Sequence, residues 1–269
     1  MSIRLPWLLR YLRFSSSLPL LSSRLLTLVL LLGLNACATY PSFVASSDAS
    51  VLFSEKEDQC VVLVHGLWRS GFAMRSIASD LQRSGYQTVS VDYPSTQKEI
   101  PALAQEFLSK GYTACQEAGA RQIHFVSHSM GGILVRQYLQ DHRLPEGSKV
   151  VMLSPPNQGS ELSEKFGDSW WYQWMVGPAG VSLNREGGIV TELNEIEEPV
   201  GIIAAYRDWS LWPDSWLPQP NDGTVSVDSM KLAEMDDFVM VNSGHAMMRY
   251  NDDVQLQIRQ FLAEGSFVH

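Results

Sequence analysis

A serine, a histidine and an acid are the residues of this chain whose setting suits covalent chemistry. The serine stands in Ser127-His128-Ser129-Met130-Gly131-Gly132. The apolar run Ile123–Val126 precedes it, and a helix-like stretch, Ile133–Gln140, follows. Strand, sharp turn and helix are what the nucleophile-elbow pattern G-x-S-x-G needs, because the turn lifts the hydroxyl clear of the sheet. Backbone segments crowd at such a turn, so the flanking residues must be tiny. Gly131 and Gly132 satisfy this, and Ser127 stands where the leading glycine is usual.

A serine hydroxyl is a weak nucleophile and needs an adjacent base. His245, in Asn242-Ser243-Gly244-His245-Ala246, follows a late apolar run and is the best-placed histidine. His124 falls inside a strand, His142 in a charged helix end and His269 at the terminus. His128 adjoins Ser129 and is expected to point away from it. The base in turn needs an acid to fix its tautomer and stabilise its charged form. Asp222, in Asn221-Asp222-Gly223-Thr224-Val225, is favoured, with Asp208 and Asp214 as rivals in the same connection.

These groups converge only if the intervening chain forms a sheet. Cys60–Val64 is an apolar, β-branched run, as in strands buried on both faces of a parallel sheet. Further strands are expected at Thr88–Val91, Ile123–Val126, Lys149–Leu153, Val200–Tyr206 and Phe238–Val241. Helices are expected at Phe72–Arg83, from Ile100 to about Gly111 or Gly119, at Ile133–Gln140 and at Asp252–Leu262. Alternation of this kind predicts an α/β fold with a doubly wound, mainly parallel sheet. The interval of about 45 residues from Pro155 to Pro199 exceeds a normal connection. It predicts a cap insertion over one end of the sheet, at about 156–199.

With those motifs in that order, the chain resembles the α/β-hydrolase superfamily, particularly its bacterial lipases and esterases, over about residues 58–263. The resemblance implies the chain order Ser129, Asp222, His245, with the acid after a late strand and the histidine after the last. It also implies an oxyanion hole. Developing charge on a substrate oxygen needs backbone N–H donors. One would come from Met130, directly after the nucleophile, and the other, as in lipases with an HGx loop, from Leu67 in His65-Gly66-Leu67-Trp68. His65 and Gly66 would hold that loop in shape.

The first 36 residues hold Arg4, Arg10, Arg13 and Arg24 and no acid, and end in the apolar run Leu25–Leu34. Ten helical residues span only about 15 Å, against roughly 30 Å of bilayer core. Residues 1–36 therefore read as a secretory signal. Leu34-Asn35-Ala36-Cys37 resembles the lipobox of bacterial lipoproteins, in which Cys37 would be lipidated. Ala38 after the cysteine favours the outer membrane by the same resemblance. Residues 37–57 then form a tether to a domain spanning 58–269. The expected location is an exported, outer-membrane lipoprotein facing the periplasm or the surface.

The formal charge is −9, and loss of residues 1–36, with four arginines and no acid, makes it −13. That excess disfavours nucleic acid and electrostatic binding to anionic head groups, which leaves membrane attachment to Cys37 and to a tryptophan-rich rim. Trp170, Trp171, Trp174, Trp209, Trp212 and Trp216 supply that rim. It reads either as an acyl pocket or lid, or as ordinary packing of the cap. In the superfamily that the chain resembles, the first and third strands are neighbours, which would place Cys60 and Cys115 near the amino edge of the sheet, as a disulfide or as two buried thiols. No metal-binding or phosphate-loop motif occurs, so neither a metal nor a cofactor is expected.

The expectation is a serine hydrolase of carboxylic esters, small-molecule or lipid-like, acting through an acyl-enzyme. Two alternatives stand beside it. One is an acyltransferase, thioesterase or amidase with the same triad; the other is a non-catalytic surface lipoprotein that binds through its cap. Oligomeric state is not legible.

Overall fold

The computed structural model describes Lys56, residues 58–207 and residues 212–269. The signal segment 1–36, the lipidation site Cys37, most of the tether, the rival acid Asp208 and Trp209 lie outside the described residues.

Among the described residues six strands form one parallel sheet in the order β2-β1-β3-β4-β5-β6. They are β1 (Gln59–Val64), β2 (Gln87–Val91), β3 (Gln122–His128), β4 (Val150–Leu153), β5 (Val200–Tyr206) and β6 (Asp237–Asn242). The continuous apolar run in β1 follows from burial on both faces. Cys60, Val62 and Val64 enter one core with Ile100, Leu103 and Leu108. Val61 and Leu63 enter the other with Met74, Ile77 and Phe261. Side chains alternate along a strand, so each layer receives every second residue.

On one face lie α1 (Arg75–Arg83) and α8 (Asp252–Glu264), which touch each other. The other face is covered by α2 (Ile100–Leu103), a π-helical turn over Ala104–Leu108, α3 (Ser109–Glu117) and α4 (Met130–Tyr138). Gly111 lies inside α3 and ends nothing; the helix stops before Gly119. A Cβ at Gly111 would come within 2.6 Å of Val91 Cγ2 and 2.8 Å of Val62 Cγ1. The glycine lets α3 approach the sheet.

Strand β3 continues through Ser127 and His128, beyond the apolar run, because ladder pairing is made by the backbone. Ser127 pairs with Val64 and Met152, and His128 with Leu153. Extended backbone at Ser127 needs no glycine, which explains serine at the first position of the elbow.

The insertion contains α5 (Glu161–Phe166) and α6 (Trp170–Val181), the latter kinked at Gly177 (φ 68°, ψ −176°) ahead of Pro178. Ser160 caps α5 by accepting from Ser163 N–H. Glu161 is not a solvated helix residue as its charged neighbours suggest. It is buried, accepts from the Ser226 hydroxyl and faces Arg185 at 3.4 Å. Through Ser226 the insertion is tied to the short helix α7 (Val227–Met230), just past Asp222.

Cys60 and Cys115 are joined by a disulfide, with Cα atoms 5.6 Å apart. The bridge pins α3 to the start of β1, at the end of the sheet away from Ser129.

Candidate active site

The chain winds outward from β1 to β2, then returns to the other side of β1 with β3. In an open parallel sheet the crevice at the carboxyl ends of such reversing strands is where ligands bind. Here it lies between the ends of β1 and β3, which carry His65-Gly66 and Ser129.

Ser129 is the link between β3 and α4, at φ 56° and ψ −131°. Non-glycine residues with positive φ are strained, and such strain persists only where the surroundings enforce it. Trp68, Ser129 and Ser154 have this conformation, each just beyond the carboxyl end of a strand. Ser129 N–H donates to Leu153 O at 2.8 Å, and its carbonyl accepts from Gly132 N–H at 2.9 Å. The turn is closed on both sides. A Cβ at Gly131 would meet His65 O at 2.6 Å and Val64 O at 2.7 Å, so only glycine fits there.

His245 Nε2 lies 2.9 Å from Ser129 Oγ, and His245 Nδ1 lies 2.6 Å from Asp222 Oδ2. Asp222 is buried. Its Oδ1 accepts from Thr224 N–H at 2.9 Å and Val225 N–H at 2.8 Å. Three donors thus converge on the carboxylate, two from the backbone and one from the imidazole. It therefore favours the tautomer with hydrogen on Nδ1, leaving Nε2 free to accept from the serine. The backbone adds a further tie, since His245 N–H donates to Asp222 O at 3.0 Å. Of the rival acids, Asp214 is exposed, and Asp208 lies outside the described residues.

The HGx loop is held next to these three residues. A Cβ on Gly66 would stand 2.9 Å from Ser129 Cβ, so the absent side chain is what lets the loop reach the serine. His65 is buried and stacked on Tyr93 with ring centroids 4.0 Å apart. Its Nδ1 bonds Gly66 O at 2.8 Å, and its Nε2 accepts from Tyr93 N–H at 3.3 Å. The Tyr93 hydroxyl also donates to His65 O. Burial pushes the His65 pKa down and keeps the ring neutral in this role. Met130 N–H is the first of α4, so no intrahelical carbonyl can accept it. Leu67 N–H makes no hydrogen bond among the described residues. Met130 and Leu67 thus offer two backbone donors beside the serine.

The cap meets this loop directly. Trp68 Nε1–H donates to Met175 O at 2.7 Å, and the Leu67 side chain packs against Gly180. Within the rim, Phe166 gathers Trp171, Tyr172, Trp212 and Trp216 at ring-centroid distances of 5.3–6.4 Å. That half of the rim is packing. Trp170 and Trp174 are outward, 79% and 83% exposed.

His128 is the site residue that the sequence did not single out. It is buried, its Nε2–H donates to the backbone carbonyl of His245 at 2.8 Å, and the two rings lie 4.8 Å apart. It points away from the serine hydroxyl but braces the loop that carries the histidine. Burial, then the positive fields of His245 and Arg249, push its pKa well down, so it is a neutral donor. An alternation pattern inside β3 was the available signal: Ser127 and His128 have opposite faces, and one of them must face the crevice.

Sequence comparison adds a match to the α/β hydrolase fold family model over residues 59–187. No curated protein shows significant similarity to the chain. Among solved structures, the mature lipase BlEst2 of Bacillus licheniformis superimposes with a TM-score of 0.60 at 19% identity, over 77% of this chain and 91% of that one.

The chain has the α/β-hydrolase fold.

The Pyrococcus furiosus esterase PF2001 shares the same fold with a TM-score of 0.55 at 17% identity, over 76% of this chain and 81% of that one. An esterase of Thermogutta terrifontis does so with a TM-score of 0.50 at 12% identity, over 77% and 90%. In the α/β-hydrolase fold of this chain the insertion 156–199 leaves the sheet between β4 and β5 and meets the HGx loop from above.

Proposed function

We propose that this chain is a serine hydrolase of the α/β-hydrolase superfamily that cleaves carboxylic esters through an acyl-enzyme. The observation that carries the proposal is the chain of contacts Ser129 Oγ–His245 Nε2 at 2.9 Å and His245 Nδ1–Asp222 Oδ2 at 2.6 Å, with two backbone N–H groups beside it.

The geometry suits a two-step displacement. Ser129 Oγ attacks the acyl carbonyl while its proton passes to His245 Nε2. Leu67 and Met130 N–H stabilise the oxyanion of the tetrahedral intermediate. Collapse expels the alcohol, which takes the proton from His245 Nε2. Water then adds to the acyl-enzyme by the same route, releasing the acid and restoring the Ser129 hydroxyl. Asp222 stabilises the imidazolium in both halves without itself accepting the proton.

The exposed aromatic residues above the crevice support an acyl or lipid-like ester. The disulfide supports an oxidising compartment, in keeping with export and with lipidation at Cys37. Turnover of p-nitrophenyl butyrate by the Ser129→Ala protein tests the reading. Removal of the nucleophile is expected to cost on the order of 10⁶-fold, as in a serine protease. Turnover equal to wild type would refute it.

A further inference from the structure

The described arginines are treated unevenly. Arg83 and Arg259 share Asp80; Arg121, Arg143 and Arg185 hold Asp58, Glu197 and Glu161. Arg136 in α4 has no carboxylate within 4.0 Å among the described residues, and neither does a group of three, Arg69, Arg75 and Arg249, although acids outnumber bases by nine in the chain. The three come together where the HGx loop meets the loop that carries His245.

Arg69 ends the turn that begins at Gly66, its N–H donating to Gly66 O at 3.3 Å, and its side chain is exposed. Arg75 lies over the Phe72 ring at 4.1 Å and reaches Tyr250 Oη at 3.3 Å. Arg249 lies 5.6 Å from the centroid of the same Tyr250 ring, and its Nη1–H donates to Ala73 O at 2.9 Å. It is only 4% exposed, and its Nε–H is buried without a partner. Burying an unpaired guanidinium is costly, and two more beside it raise the cost. Burial lowers the pKa of Arg249 most, and Arg69 and Arg75 add to the lowering; burial likewise dominates at His128, where Arg249 and then Arg69 contribute. Asp92 Oδ1 accepts from Gly71 N–H at 3.1 Å and lies 3.7 Å from His65 Nε2, with no arginine within 4.0 Å.

We propose that Arg69, Arg75 and Arg249 form an anion subsite beside Ser129, and that the ester cleaved there carries a phosphate group, as an acylated glycerol phosphate does. The inference rests on the ester-hydrolase reading and adds the class of substrate to it. Guanidinium groups match phosphate oxygens with paired N–H donors, and a phosphate neutralises charge that no protein carboxylate does. Exposed Phe72, Trp68 and Met247 border the same edge and suit the acyl chain. The net acidity of the chain therefore conceals a local positive patch at the one place where it can select a substrate.

The test is binding by titration calorimetry to the full-length Ser129→Ala protein, which needs no turnover. The ligands are octanoyl lysophosphatidic acid and octanoylglycerol, each below its critical micelle concentration. The phosphate ester is expected to bind about tenfold tighter or better, the size of one charge-assisted contact. The ratio is expected to shrink with salt, as exposed charges are screened. It is expected to collapse toward one in Arg69→Gln/Arg75→Gln and to persist in Arg121→Gln at the opposite end of the sheet. Competition by glycerol 3-phosphate would support a phosphate site open to soluble esters. Its failure, with the ratio intact, would support a lipid source, where the acyl chain is also required. Equal affinity for the two octanoyl ligands, or a ratio unchanged in the double variant, would overturn the proposal. Labelling of wild-type Ser129 by a neutral fluorophosphonate reports on the hydrolase reading separately.

Discussion

Replacing Asp222 by asparagine changes one atom, yet the surroundings dictate a large effect. Thr224 and Val225 both aim N–H groups at Oδ1. An asparagine must keep its carbonyl oxygen there, because its NH₂ would otherwise face two donors. The NH₂ is then turned toward His245 Nδ1, at the place where Oδ2 sits 2.6 Å away. Nδ1 must accept, so the proton moves to Nε2, which faces Ser129 Oγ and can no longer take its proton. The same change of tautomer in a serine protease costs about 10⁴-fold, or about 5 kcal/mol of transition-state stabilisation. The assay is kcat/KM for p-nitrophenyl butyrate, with a thermal melt to show that the variant folds. A loss near 10⁴-fold with a native-like melt is expected. A loss of less than about tenfold would refute the reasoning, as would a large loss in Asp208→Asn alone.

His128→Ala removes the donor to the His245 carbonyl and is expected to lower kcat by about ten- to a hundredfold, the scale of a small misplacement; His128→Gln, which can still donate, should recover part of it. Equal rates for both variants and wild type would show that the brace is idle. Reduction of the Cys60–Cys115 bridge, whose separation is 55 residues, should lower unfolding free energy by about 4 kcal/mol in the chain-entropy model, read from urea midpoints with and without reductant. A shared midpoint would contradict it. His124 is buried with its pKa pushed down to about 4, and burial lowers His65 and His128 as well. A histidine depressed in the folded state binds its proton more readily when unfolded. Stability is therefore full above about pH 6.5 and falls as pH drops below it, by up to about 1.4 kcal/mol per pH unit for each such group. Urea midpoints equal at pH 7 and pH 5 would count against this. Gly131→Ala forces a Cβ against two backbone carbonyls and should yield little folded, active protein, checked by soluble expression and esterase rate.

The sheet was legible because strands buried on both faces must be apolar throughout, as in β1, and the elbow was legible because strand, turn and helix are contiguous. The limits of β3 were not, since Ser127 and His128 are polar while ladder pairing depends on the backbone. Gly111 looked like a helix stop, and its reason is instead a neighbour distant in sequence, Val62. Glu161 sits among charged neighbours, yet it alone of them turns inward, to Ser226. The brace at His128 and the cluster of Arg69, Arg75 and Arg249 depend on loops more than a hundred residues apart meeting at one sheet edge. No local pattern carries that information. The Asp222 assignment rested on a turn motif shared with plain loops, and the His245 contact is what singles it out among the described acids.

The most direct measurement is intact-mass and peptide analysis after exposure to a fluorophosphonate probe, which reacts only with an activated serine. One adduct per chain, located on Ser129, absent from Ser129→Ala and from heat-denatured protein, is the predicted result. An unmodified chain, or an adduct on another residue while Ser129 stays free, would contradict the account.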